Sequence, residues 1–133
     1  MDPLSVELWT VVIVSIWSAS LTLVLAVGRG LTPGGSEWAV GNRHTHFEFG
    51  PWIQRTERAH ITAIENLAPF AALILVIHVT GRSTETTAIA SMVFAGCRIA
   101  HSLSYIIGLV PWRTVLHAIA IGALFALLTA FLP

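Results

Sequence analysis

The chain alternates between long apolar runs and short polar breaks. Residues 6–27, 85–108 and 112–132 form three apolar runs, each long enough for a helix of about 20 residues that crosses a bilayer. A fourth run, residues 58–80, fits the same length if Arg58 and Glu65 are tolerated in it. The breaks "VGRGLTPGG", "TGRSTE" and "GLVPW" carry the glycines and prolines that stop helices. The pattern predicts helices at about residues 6–27, 55–80, 84–108 and 112–132.

The helix ends have recognisable signals. Ser83 or Thr84 is a suitable N-cap for the third predicted helix, and Pro111 suits the first position of the fourth. The first run has no basic segment before it and no small-residue cleavage site after it, so we expect it to remain as a helix.

The composition is typical of a membrane protein. Of 133 residues, 55% are hydrophobic and only 11% are charged, which is more apolar than soluble domains are. We therefore expect one domain, residues 1–133, with an all-α fold: an integral membrane four-helix bundle. The formal net charge is zero, so no broad basic surface for nucleic acid is expected.

The seven basic residues are all arginines, and they are distributed unevenly. Arg82 alone flanks one side of the predicted bundle, whereas five others lie in or beside the loops of the opposite side: Arg29, Arg43, Arg55, Arg58 and Arg113. Because cytoplasmic loops are enriched in basic residues, we expect the loop of residues 28–54 in the cytoplasm and both termini on the opposite side.

Polar residues share faces of the predicted helices. On the second helix, Arg58, Thr62 and Glu65 are spaced by three or four residues, which places them on one face. The third helix repeats this spacing with Arg98, His101 and Tyr105, and the fourth begins with Arg113 and Thr114, followed one turn later by His117.

The two middle helices run in opposite directions, so depth in the membrane can be compared. At 1.5 Å per residue, Glu65 and Arg98 both lie about 15 Å from one membrane face. Thr62 and His101 lie about 10 Å deep, and Arg58 and Tyr105 about 4 to 5 Å. A charge at such depth is costly unless it is paired, so Glu65 and Arg98 are the predicted ion pair. The sequence predicts a polar pocket open to one membrane face and suited to a small ligand with carboxylates and an amine.

Two motifs connect this pattern to a known family. "ERAHITAIENLAPF" resembles the second-helix signature of the MAPEG family, the membrane-associated proteins in eicosanoid and glutathione metabolism, and "CRIAHSLSY" is similar to its third-helix motif. The length and the four helices agree with a prokaryote-like member. One position departs from the signature, since Thr62 stands where the family has Asn.

The resemblance implies a homotrimer with glutathione held between neighbouring subunits near the cytoplasmic face. Carried over by position, six residues would bind glutathione: Arg58, Thr62, Glu65, Arg98, His101 and Tyr105. Arg113 would activate the glutathione thiol, and Thr114 stands where some members have a serine proposed to hold the thiolate. The implied function is a membrane glutathione-dependent transferase, peroxidase or isomerase acting on apolar electrophiles from the lipid.

The same residues also fit other interpretations. The protein could be a non-catalytic membrane protein of the same fold, either a scaffold or a receptor for another small anionic ligand. The Glu65 and Arg98 pair could be structural, and His101 and Tyr105 could be hydrogen-bond partners between helices. A transporter is less favoured because no broken inverted repeat is present. His44, His46 and Glu48 alternate in the first loop, but without a fourth ligand we expect no metal site.

Overall fold

The computed structural model describes residues 4–132, and within that range it contains only helices and the turns between them. The elements are α1 (Val6–Leu31), α2 (Gly35–Val40), α3 (Pro51–Val79), α4 (Glu85–Ile107) and α5 (Val110–Ala126), which continues into a 3₁₀ turn, Leu127–Phe131. Four segments are long and apolar enough to cross a membrane: α1, α3, α4 and α5 with its 3₁₀ turn. The prediction of an all-α, four-helix membrane bundle is confirmed.

The loop between the first two spanning helices contains the main departures from the predicted boundaries. The short helix α2 was not predicted, because six residues carry too little periodicity to detect. Helix α3 begins at Pro51, four residues earlier than predicted, with Gly50 as its N-cap and proline in the first turn. Proline is favourable there because the first helical N–H groups have no intrahelical acceptor, so proline loses no hydrogen bond.

The caps of the later helices follow from local chemistry. Thr84, and not Ser83, caps α4: its Oγ1 accepts a hydrogen bond from Thr87 N at 3.2 Å, and Thr87 Oγ1 accepts from Thr84 N at 2.8 Å. Helix α5 begins at Val110, so Pro111 occupies the second helical position instead of the first.

Each long helix buries one narrow stripe of residues. On α1 the buried positions recur every three or four residues: Glu7, Thr10, Val14, Ser18, Leu21, Leu25 and Gly28. The corresponding stripe on α3 consists of Ile53, Thr56, Ala59, Ala63, Phe70, Ile74 and Ile77. Helix α4 packs against the other three spanning helices, and the rings of Phe70 and Phe94 stack between α3 and α4 with centroids 4.0 Å apart.

A buried carboxylate lies at the end of the bundle far from the first loop. Glu7 is 4% exposed, and its Oε1 is 2.9 Å from the hydroxyl oxygen of Thr87. This contact connects the first turns of α1 and α4. It therefore gives the buried Glu7 carboxylate a hydrogen-bond donor.

The outward faces of the spanning helices are strongly apolar. Leu23 on α1 is 70% exposed, Ile16 is 65% exposed, and Phe125 on α5 is 65% exposed. Soluble monomers rarely expose contiguous apolar surfaces of this kind, whereas lipid tails or other membrane helices cover them well. The four-helix chain is thus suited to a bilayer.

Candidate functional site

A cavity of about 240 Å³ opens where the end of α4 meets the start of α5. Its lining consists of His101, Tyr105, Arg113, Thr114 and His117. The Arg113 guanidinium lies over the Tyr105 ring at 4.5 Å from the centroid. Five polar side chains from two helices therefore converge on one small space.

The turn between the two helices sets this geometry. Gly108 ends α4 in the left-handed conformation, with φ of 91°, a backbone state that glycine adopts without a steric penalty. Leu109 N donates to Ser104 O at 2.8 Å, and Gly108 N donates to the same oxygen at 3.0 Å. This closing pattern reverses the chain within a few residues. Because α5 starts so soon, Arg113 in its first turn faces the last turns of α4.

The deepest charge of the site is Arg98, which is 1% exposed. Its two terminal nitrogens each lie 3.4 Å from His117 Nδ1, and its guanidinium carbon lies 5.3 Å from the centre of the Phe94 ring. Arg98 Nε is buried without a hydrogen-bond partner among the described residues. Within residues 4–132, therefore, no carboxylate balances this buried cation.

The predicted ion pair between Glu65 and Arg98 is wrong within a single chain. Glu65 is exposed, and the described residues contain one ion pair, between Arg29 and Glu57. Helical residues advance by about 100° each, so Glu65 lies about 200° around α3 from the buried Ala63. It therefore points away from the interface with α4, although its depth matches that of Arg98.

The same geometry separates the other α3 candidates from the α4–α5 cavity. Arg58 is exposed and Thr62 is half-buried, and both lie to one side of the buried stripe. Arg58 instead helps to line a second cavity, of about 450 Å³, formed with the segment before α3. The lining residues of this α3 cavity are His46, Phe47, Glu48, Phe49, Gln54, Glu57, Arg58 and Ile61.

The alignment of α3 and α4 along the bundle axis agrees with the membrane depths predicted from the sequence. Arg55 Nε donates to Ile106 O at 2.9 Å, which joins the start of α3 to the end of α4. The predicted site residues thus fall at one end of the bundle. The structure brings together His101, Tyr105, Arg113 and Thr114, and it leaves Arg58, Thr62 and Glu65 on a different face.

Arg29 and His117 also belong to the end of the bundle that holds the first loop. Arg29 Nη2 donates to Glu57 Oε1 at 2.6 Å beside the α3 cavity, a contact between residues 28 positions apart that sequence spacing could not indicate. His117 was noted in the sequence one turn after Arg113, but only its contact with Arg98 shows that it belongs to the site.

His44, His46 and Glu48 do not converge, and none of the described residues form a cluster of three metal-ligating side chains.

Comparison with known proteins supports the glutathione-related interpretation at the level of family. A segment of 54 residues, 41% of the chain, is 33% identical to microsomal glutathione S-transferase 1 of Rattus norvegicus. The proteins of the same name from Mus musculus and Homo sapiens are each 32% identical over 54 residues. The match spans about a third of the length of these relatives, 35% in each case. The profile of the MAPEG family matches residues 8–132, nearly the whole chain, and this chain therefore belongs to the MAPEG family.

Proposed function

We propose that this protein is an integral membrane, glutathione-dependent enzyme of the transferase or peroxidase type, acting on apolar electrophiles that arrive from the lipid. The observation that carries the proposal is the α4–α5 cavity, in which Arg113 lies over Tyr105 and Thr114 stands beside it. A guanidinium and hydroxyl groups are suited to stabilising a thiolate, which is the nucleophilic form of a thiol.

The active assembly would be a homotrimer, and the unbalanced charge of Arg98 supports this. A buried charge is costly unless it is paired, yet the described residues offer Arg98 no carboxylate. Arg98 is 1% exposed, so a second copy would not touch it, but the exposed Glu65 of a neighbouring α3 at a matching depth would offset its charge at a distance, from the cavity side. Cyclic assembly would then place the α3 face of one copy against the α4–α5 cavity of the next.

Glutathione would be bound by both faces at once. Arg58 on the α3 face would bind a carboxylate of the tripeptide, and Thr62 could offer one hydroxyl where an amide would offer both a donor and an acceptor. Tyr105 and His101 would contact it from the other copy.

The sulfur would then reach the start of α5. The positive end of the α5 dipole and the Arg113 guanidinium would favour loss of the thiol proton, and Thr114 would donate a hydrogen bond to the thiolate. The electrophile would enter from the lipid past Trp112 and Val115, which are 61% and 47% exposed.

The distribution of the arginines supports one orientation in the membrane. Arg29, Arg55 and Arg58 lie near the same end of the bundle as Arg113, whereas Arg82 lies at the other. We therefore place the loop of residues 28–54 in the cytoplasm and both termini outside it.

A non-catalytic protein of the same fold is the second candidate. Two observations favour it: Thr62 replaces the family's Asn, and the contact between Arg98 and His117 forms within one chain. Such a protein would use the polar residues as scaffold, or would bind another small anion.

Activity measurements with a matched control test the enzymatic proposal. Purified protein in detergent is titrated with glutathione by calorimetry and then assayed with a generic electrophile. We expect millimolar or tighter binding, and Arg113→Ala should lower kcat/KM by about 10²- to 10³-fold, as loss of one anion-stabilising donor does. The control is Arg82→Ala, since Arg82 is exposed and its guanidinium donates to Ala130 O at the opposite end of the bundle. An intact assembly that fails to bind glutathione contradicts the proposal.

Mixed assemblies test whether each site is shared by two copies. Arg58→Ala and Arg113→Ala chains, each inactive alone, are co-expressed with different tags and purified over both. Trimers that carry both tags contain both chains, and in either composition one of the three interfaces combines two intact faces, so they should regain about a third of the wild-type activity. No recovery would place the whole site within one chain.

The role of Glu65 at the interface between copies is tested separately. Loss of the trimer in Glu65→Gln, judged by size-exclusion chromatography with light scattering, would indicate a structural role. Loss of glutathione binding from an intact trimer would indicate a role in the pocket.

A further inference from the structure

His117 lies between the buried arginine and the α4–α5 cavity. Its Nδ1 is 3.4 Å from both terminal nitrogens of Arg98, and its ring lines the cavity beside Arg113 and Thr114. The His101 ring lies 5.7 Å away, measured between ring centroids. One imidazole therefore contacts the deepest cation of the site and also borders the space in which a substrate would react.

The contact with Arg98 determines which ring nitrogen of His117 carries the proton. A guanidinium has five N–H donors and no acceptor, so His117 Nδ1 must accept and is unprotonated. A neutral imidazole then carries its proton on Nε2, and the hydrogen bond to one nitrogen fixes the role of the other. Because Nδ1 faces Arg98, the Nε2–H edge is the polar edge left for the cavity.

The lining of the cavity is rich in donors. Arg113, Thr114, Tyr105 and the Nε2–H of His117 all offer hydrogens, and the described part of the chain contributes no carboxylate to the lining. One anion, the thiolate, would occupy the donors at the start of α5. A further donor one turn along α5 is suited to a second centre of negative charge, one that appears during the reaction.

We propose that His117 is a specificity-determining hydrogen-bond donor for electrophiles whose attack by a thiolate moves negative charge onto an oxygen, with α,β-unsaturated ketones as the representative class. This inference rests on the proposed glutathione-dependent function and adds to it a substrate class and a residue. Arg98 acts through His117 as a positioning residue, since its contact holds the ring in the donor form.

The chemical step is an addition that balances without an oxidant or reductant. The thiol loses its proton, and the sulfur lone pair forms a C–S bond at the β-carbon of the ketone. The alkene electron pair shifts toward the carbonyl, whose oxygen becomes an enolate oxygen and accepts the hydrogen bond from His117 Nε2. A proton then returns to the α-carbon, so the product is the sum of thiol and ketone. Substitution at an alkyl halide moves the charge onto chloride, a weaker hydrogen-bond acceptor that leaves from the attacked carbon itself, so a donor placed for an enolate oxygen should stabilise it much less.

Three variants at one position separate the donor from the contact with Arg98. His117→Asn keeps an oxygen near the place of Nδ1, which can accept from Arg98, but its amide is too short to replace Nε2. His117→Gln reaches the place of Nε2 with an N–H donor, and His117→Phe removes both functions. The control is His78→Asn, because His78 is exposed at the C-terminal end of α3, at the other membrane face.

The assay compares two electrophiles with glutathione in the assembled protein: benzylideneacetone, an unsaturated ketone, and benzyl chloride. In His117→Asn the ratio of kcat/KM for the ketone to that for the chloride should fall by about 10²-fold, the loss typical of one donor to a developing oxyanion. His117→Gln should restore part of the ratio, and His78→Asn should leave it at the wild-type value. A ratio unchanged in His117→Asn overturns the proposal, as does a failure of His117→Gln to differ from His117→Phe.

A spectroscopic measurement tests the assignment without turnover. In wild-type protein with ¹⁵N-labelled histidine, with the signals assigned by comparison with His117→Phe, the shifts should show Nδ1 unprotonated and Nε2 protonated. A proton on Nδ1 would overturn the proposal even if the variants are poorly folded. Wild-type protein that turns over neither electrophile contradicts the proposed function itself, and the nitrogen shifts then still decide whether His117 is held as a donor.

Discussion

Gly35 offers a sharp test of the packing that supports the first loop. It is buried at the start of α2, and a Cβ added there would lie 2.3 Å from the backbone oxygen of Arg29. The same Cβ would lie 3.0 Å from Cε1 of Phe49, whereas ordinary contact begins near 3.4 Å. The added Cβ would therefore lie about 1 Å too close to the Arg29 oxygen. That oxygen belongs to the main chain, so it cannot rotate away as a side chain can.

We expect Gly35→Ala to destabilise the protein by about 1–3 kcal/mol, the usual cost of overpacking. Gly30→Ala is the matched control, since Gly30 lies near the end of α1 and a Cβ there has no atom within 4 Å. Alanine restricts the unfolded chain more than glycine does, so Gly30→Ala should stabilise the protein by about 0.4–1 kcal/mol. The two substitutions add the same methyl group and should act in opposite directions.

The assay is thermal unfolding in one detergent, followed by far-ultraviolet circular dichroism at a fixed scan rate, because membrane proteins often unfold irreversibly. The midpoint should fall for Gly35→Ala and rise for Gly30→Ala. Equal midpoints for the two variants, or a higher midpoint for Gly35→Ala, would refute the argument that α2 packs tightly against the end of α1.

Two further substitutions test the bundle core and a helix cap in the same assay. Phe70→Ala should cost about 3–5 kcal/mol, because Phe70 and Phe94 are both fully buried and stacked. Phe125 is 65% exposed, so Phe125→Ala should change the midpoint little. Equal losses of stability in the two variants would contradict the stacking role. Thr84→Ala should cost about 1 kcal/mol by removing the oxygen that accepts from Thr87 N, and Thr84→Ser should retain most of the stability; a serine variant as unstable as the alanine variant would show that the cap is not the cause.

The membrane spans and the location of the polar residues could be predicted from the sequence because both depend on local properties. A run of apolar residues predicts a spanning helix whatever its neighbours are, since every backbone polar group is satisfied within the helix. Gly108 and Pro111 likewise act within a few residues, so the tight turn that brings α5 next to α4 was visible in "GLVPW". Depth along a helix is also local, and the contact between Arg55 and Ile106 agrees with it.

The direction in which each side chain points could not be predicted in this way. Depth alone matched Glu65 with Arg98, but the buried face of α3 is set by packing against α1 and α4, and that packing turns Glu65 outward. The sequence could not show whether two polar stripes at one depth face each other or face different neighbours. The predicted depths of α3 and α4 residues therefore agree with the structure, but the predicted ion pair between Glu65 and Arg98 within one chain is wrong.

The sequence by itself determined that the chain crosses a membrane four times, that its polar chemistry lies at one end, and which family motifs it carries. Only the tertiary structure decided that this chemistry is divided between two faces, that His117 rather than Glu65 contacts Arg98, and that Arg29 pairs with Glu57. The physical reason is that helix formation and membrane insertion depend on neighbouring residues, whereas contacts between helices depend on how the helices rotate about their axes when they pack.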